Sequence, residues 1–178
     1  MRLFTAVTLP DAVKEEIESI CIGLPYVRWV KKDQLHITLC FLGEVDQNRL
    51  QEIQESLSEI SFDPFSLQMN GVGQFLTAKD INAVWLGVQD EERIVSLQKS
   101  VSRQLRALKI PVDKKKYKPH LTLARIKRSS DEKIREYMQE FSKFHSHPFT
   151  VDSFQLISSR LYADGPVHTV ESVFPLQS

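Results

Sequence analysis

Two short stretches of this chain repeat one another, and together they restrict what it can fold into. The first is Gln34-Leu35-His36-Ile37-Thr38-Leu39-Cys40-Phe41-Leu42, and the second is Lys118-Pro119-His120-Leu121-Thr122-Leu123-Ala124-Arg125. Each sets His-x-Thr-Leu in an apolar, β-prone run. Alternate side chains of a strand share a face. His36 and Thr38 therefore point one way while Ile37 and Leu39 point the other. His120 and Thr122 repeat the pattern, with Leu121 and Leu123 behind them. Each strand must bury one face and present an imidazole beside a hydroxyl on the other, which suits a cleft better than a core. The same parity puts Cys40 on the His36 face, as a small buried residue bordering the site. It puts Phe41, Tyr117 and Arg125 on the far face. Phe41 and Tyr117 are therefore expected to pack rather than to stack a base, and Arg125 is left out of the catalytic set.

The segments around the two motifs repeat as well. Arg2 to Thr8 reads as a strand. A helix follows, with Asp11 as its cap and Val13, Ile17 and Ile20 at helical spacing. Then come the His36 strand and a helix from Asp46 carrying Leu50, Ile53 and Leu57. Later, Asn82 to Val88 reads as a strand. Asp90 opens a helix with Ile94, Leu97, Val101 and Leu105, followed by the His120 strand. Ser129-x-x-Glu132 then fits a capping box for a last helix. Phe65 to Met69 alternates as a strand ahead of Gly71-Val72-Gly73, which suggests a bulge. Phe149 to Ser158 and His168 to Phe174 read as final strands joined through Asp164-Gly165-Pro166, with His168 on a surface strand. The simplest architecture is an α+β fold of two pseudo-symmetric lobes in a single bilobal domain, residues 1–178. Each lobe is an antiparallel-rich sheet with its helices outside, and each supplies one His-x-Thr strand to a central cleft.

Composition excludes little but narrows the chemistry. Formal net charge is zero, so nothing global points to nucleic acid or a membrane surface. Charge is uneven, however. Lys114, Lys115, Lys116, Lys118, Arg125, Lys127 and Arg128 surround the second motif against Asp113 alone, a local charge of +6. Such a patch can steer a polyanion to the cleft. No apolar run approaches a transmembrane span. Cys21 and Cys40 have no metal or redox spacing and read as free thiols in a reducing cytoplasm.

Two imidazoles facing one bound group can act as acid and base, because imidazole titrates near neutral pH. Two hydroxyls beside them can donate to anionic oxygens. No carboxylate repeats with the motifs. This combination fits cleavage at phosphorus without a metal or other cofactor. A competing arrangement, a metal site built on His145 and His147, lacks an evident third ligand.

The sequence resembles the 2H phosphoesterase superfamily, and within it the RNA 2′,3′-cyclic phosphodiesterases, also called 2′-5′ RNA ligases. The likeness runs through Arg2-Leu3-Phe4-Thr5-Ala6, Val27-Arg28-Trp29-Val30, both His-x-Thr motifs, Trp85-Leu86-Gly87-Val88 and Ser159-Arg160-Leu161. It implies that His120 is the proton acceptor and His36 the proton donor. Thr38 and Thr122 would bind the substrate phosphate, with no metal. The implied substrates are RNA 3′ ends or small nucleotides carrying a cyclic phosphate. The expected protein is a cytoplasmic monomer with no obligate partner. The alternative on the same fold is a non-catalytic nucleotide-binding module.

Overall fold

The computed structural model describes residues 1–75, 82–113, 115–128 and 131–178. In chain order the strands and helices are β1 (Arg2–Thr8), α1 (Asp11–Glu18), β2 (Val27–Trp29), β3 (His36–Glu44), α2 (Leu50–Ser58), β4 (Phe65–Phe75), β5 (Asn82–Gln89), α3 (Glu92–Ala107), β6 (Leu121–Ile126), α4 (Asp131–Glu140), β7 (Phe149–Val151), β8 (Ser153–Tyr162) and β9 (Gly165–Pro175). The proposed cap at Asp11 is not one. Pro10 takes the capping position, and Asp11 sits inside the first turn, where a carboxylate still favours the helix N-terminus. Ser129 lies outside the described residues.

The strands form one antiparallel sheet in the order β7-β4-β5-β6-β3-β1-β8-β9, and β2 also pairs with β6. This order is a palindrome of roles. β6 and β3, the motif strands, sit side by side at the centre, with β5 and β1 outside them and β4 and β8 outside those. The two lobes are thus two halves of one curled sheet. The division is not the sequence division, because β8 returns from the second half to pair with β1. At the centre the ladder between β3 and β6 is one pair, Ile37 opposite Leu121. Beyond it the strands diverge, and β2 fills the gap by pairing Trp29 with Ala124 and Val27 with Ile126.

Apolar spacing decides which face the helices cover. Ile94, Leu97, Val101 and Leu105 of α3 and Ile53 and Leu57 of α2 are fully buried. They share one core with Leu3, Val7, Ile37, Leu39, Leu86, Leu121 and Leu123 of the sheet. Each such side chain contributes about 1.5–3 kcal/mol by leaving water. Phe4, Ala6 and Ile157 form a separate small cluster, the dry part of the opposite face.

The β9 edge carries Pro166 and Pro175 near its ends, and its pairing with β8 slips between Leu156 and Ile157, where Glu171 is the extra residue. Ser158 Oγ donates to the Glu171 carboxylate at 2.5 Å.

Ile37 has no exposed surface and forms the seam between the halves. Ile37→Ala is expected to destabilise the fold by about 2–5 kcal/mol, measured by urea unfolding. A loss below 1 kcal/mol would mean the seam bears little of the packing.

Candidate active site

The seam fixes the geometry of both motifs. When Ile37 lies opposite Leu121 in an antiparallel pair, extending the register one residue each way sets His36 across from Thr122 and Thr38 across from His120. Ile37 and Leu121 are sealed into the core, so the four polar side chains emerge on the other face, and all four are partly exposed. The motifs that lie 84 positions apart in sequence are thus brought together as a crosswise quartet.

Both imidazoles are oriented by the same local device. His36 Nδ1 lies 2.6 Å from the Gln34 carbonyl, and His120 Nδ1 lies 2.8 Å from the Lys118 carbonyl. A carbonyl only accepts, so each Nδ1 carries the proton in the neutral ring and each Nε2 is left as the free nitrogen. Tyr117 Oη donates to the Thr38 carbonyl at 2.8 Å, tying the loop before β6 to β3. Tyr117 is packed as expected, and burial pushes its phenol pKa up.

The parity reading fails one turn further along both strands. Between Thr5 and Ala6 of β1 the partner on β3 jumps from Cys40 to Thr38, so Leu39 is an extra residue. Between Val84 and Trp85 of β5 the partner on β6 jumps from Ala124 to Thr122, so Leu123 is extra. A bulge inserts one residue and inverts the alternation beyond it. Cys40 therefore turns into the core, where its backbone N–H donates to Thr5 Oγ1 at 3.1 Å and burial raises its thiol pKa to about 11. Phe41 turns to the cleft face, opposite Phe4, and is 62 % exposed. Arg125 turns the same way, opposite Ala83 and Arg28, and is exposed. Both occupy the fifth position after their histidine. The expectation that Phe41 packs and that Arg125 faces away from His120 is corrected by these two bulges.

The ring environments differ between the halves. His120 meets the Phe75 ring at 4.8 Å and the Trp85 ring at 6.2 Å, and Lys118 Nζ sits 4.6 Å over Trp85. Trp85 fits because it crosses Gly73, where any Cβ would collide with the indole. His36 meets Phe4 at 5.0 Å and His168 at 5.6 Å. His168 is thus not a plain surface residue. It is partly buried on β9 and lines a cavity of about 530 Å³ with Lys31, Asp33, Gln34, Tyr162 and Pro166.

Burial pushes the His36 pKa down to about 4, against the opposing pull of the Gln34 carbonyl, and the nearby His168, Lys14 and His120 push it the same way. The His120 contribution reflects the closeness of the two motif imidazoles. His145 and His147 lie elsewhere, between α4 and β7. His147 Nδ1 pairs with Glu16 at 3.0 Å, and His145 bridges to Asn70 of β4. Among the described residues no group of three or more His, Cys, Asp or Glu side chains is placed to hold a metal ion, and no helix is long and apolar enough to cross a membrane.

Known proteins resemble this chain in sequence and in fold. The chain is 37 % identical to an RNA 2′,3′-cyclic phosphodiesterase of Archaeoglobus fulgidus, covering 98 % of this chain and 99 % of the relative. It is 30 % identical to one of Methanocaldococcus jannaschii, covering 96 % and 98 %. Among solved structures, Thermus thermophilus TT0787 superposes with a TM-score of 0.81 at 27 % identity, over 99 % of this chain and 98 % of that one. Escherichia coli LigT in its apo form gives 0.80 at 25 %, with the same coverage. The sequence profile of the 2′-5′ RNA ligase superfamily matches residues 9–162. With that match over most of its length, the chain belongs to the 2′-5′ RNA ligase superfamily.

Proposed function

We propose that this chain is a metal-independent RNA 2′,3′-cyclic phosphodiesterase, opening a terminal cyclic phosphate to a 2′-phosphate. The observation that carries the reading is the crosswise quartet of His36, Thr122, Thr38 and His120 on one face of the seam. The names of the full-length relatives support the same activity.

The cyclic phosphate lies over the quartet. His120 Nε2 takes a proton from water, and the water oxygen attacks phosphorus. The bond from phosphorus to the ribose 3′ oxygen breaks, and His36 gives that oxygen its proton. The Thr38 and Thr122 hydroxyls donate to the non-bridging oxygens and stabilise the added charge. With a ribose 5′-hydroxyl in place of water, the same steps form a 2′-5′ bond. Arg125 binds a flanking phosphate of the RNA, and Phe41 offers a ring for a base. The protein acts in the cytoplasm as a monomer, without cofactor or protein partner.

The donor role sets a condition on His36. With a pKa near 4 it is neutral in the free protein at neutral pH. An anionic phosphate beside it favours the charged ring and raises that pKa. The substrate thus helps to protonate its own acid.

His36→Ala and His120→Ala are each expected to lower turnover of a cyclic-phosphate oligonucleotide by about 10²–10⁴-fold, with little loss of stability. A variant that keeps normal turnover would remove that residue from the mechanism. A protein that binds the oligonucleotide and releases no product would instead be a binding module.

Proton resonance titration of His36 should show its midpoint near pH 4 in the free protein and a clear rise with inorganic phosphate bound. An unchanged midpoint at saturating phosphate would count against the donor assignment.

Arg125→Ala is expected to raise KM by about tenfold and to flatten its salt dependence, as loss of one phosphate contact requires, while kcat changes little. An unaltered KM would put Arg125 outside the RNA path.

A further inference from the structure

His36 and His120 share a motif and a backbone anchor, but only His36 has another imidazole against it. We propose that His168 is a positioning residue for His36, packing against both its ring and Phe4 so that Nε2 keeps a fixed direction. As far as turnover is concerned, this rests on the cyclic phosphodiesterase reading.

The backbone anchor alone does not fix the His36 ring. The bond from Nδ1 to the Gln34 carbonyl holds one atom, about which the imidazole can still tilt. Phe4 limits tilt on one side, at 5.0 Å and 33° between ring planes. His168 limits it from beside Phe4, edge-on at 5.6 Å and 73°. His168 also meets Phe4 at 5.1 Å, so the three rings close a triangle.

This packing is itself held. Gln34, whose carbonyl anchors His36, donates its side-chain amide to the Pro166 carbonyl at 2.7 Å. One residue thus ties both imidazoles to a common frame. Arg28 donates to the Asp164 carbonyl at the tip of the same hairpin. On the His120 side the flanking rings are Phe75 and Trp85, which pack but carry no charge.

An ionisable ring also leaves an electrical trace. The charged groups acting on His36 are His168 from β9, Lys14 from α1 and His120 from the start of β6. Asp33, in the turn before β3, acts on His168. Protonation of His168 places a positive charge beside His36, so the charge on His168 bears on the titration of His36.

The test compares His168→Ala, which removes the ring, with His168→Phe, which keeps a ring. His168→Ala is expected to lower kcat about tenfold or more with KM within about threefold, and His168→Phe to restore most of kcat. In the wild-type protein the His36 resonance should move as the His168 resonance titrates. In His168→Phe that contribution should vanish.

Wild-type kcat in His168→Ala, or a loss that His168→Phe does not recover, would overturn the proposal. So would a wild-type His36 resonance that stays still while the His168 resonance titrates, a result that needs no variant to fold. If the wild-type protein fails to turn over cyclic phosphates, the activity reading falls, while the titration still decides whether the rings act on one another.

Discussion

A single buried contact, Ile37 against Leu121, carries the logic of this fold. It is the one ladder pair joining β3 to β6. Both side chains are sealed in a core that both halves share. Once that contact is made, the antiparallel register fixes the face that the polar quartet occupies. A slip of one residue would send the histidines into the core and the leucines into the cleft. Hydrophobic burial therefore decides which side chains of the two motifs reach the cleft.

The quartet was legible in the sequence because period-two alternation is strong in Leu35 to Leu39 and in Pro119 to Leu123. The buried faces of the helices were legible for a similar reason, as with Ile94, Leu97, Val101 and Leu105. Position five after each histidine was not. A bulge at a leucine has no glycine or proline to announce it, and Leu39 and Leu123 stay buried on either side of the change. Only the pairing with β1 and β5 exposes the inversion. His168 was illegible for another reason. Its place beside His36 depends on the last two strands returning to the first half of the sheet, which no local pattern encodes.

The scaffold is nearly two-fold, but its furnishing is not. A cyclic phosphate over a symmetric quartet could sit in two orientations of equal energy. Phe4 and His168 flank one imidazole, while Phe75 and Trp85 flank the other. A ribose with its base can distinguish these surroundings. The divergence around a shared motif thus gives direction to a site whose core has none.

The outermost strand, β9, ends the sheet with an edge that no further strand among the described residues pairs and exposes Val167, Val170 and Val173. Such a border invites another chain to add itself and begin a fibre. Proline residues near its two ends lack the N–H that an incoming strand would need, and the kink at Glu171 spoils the flatness between them. The irregularities of this last strand protect the protein from polymerising along its own margin.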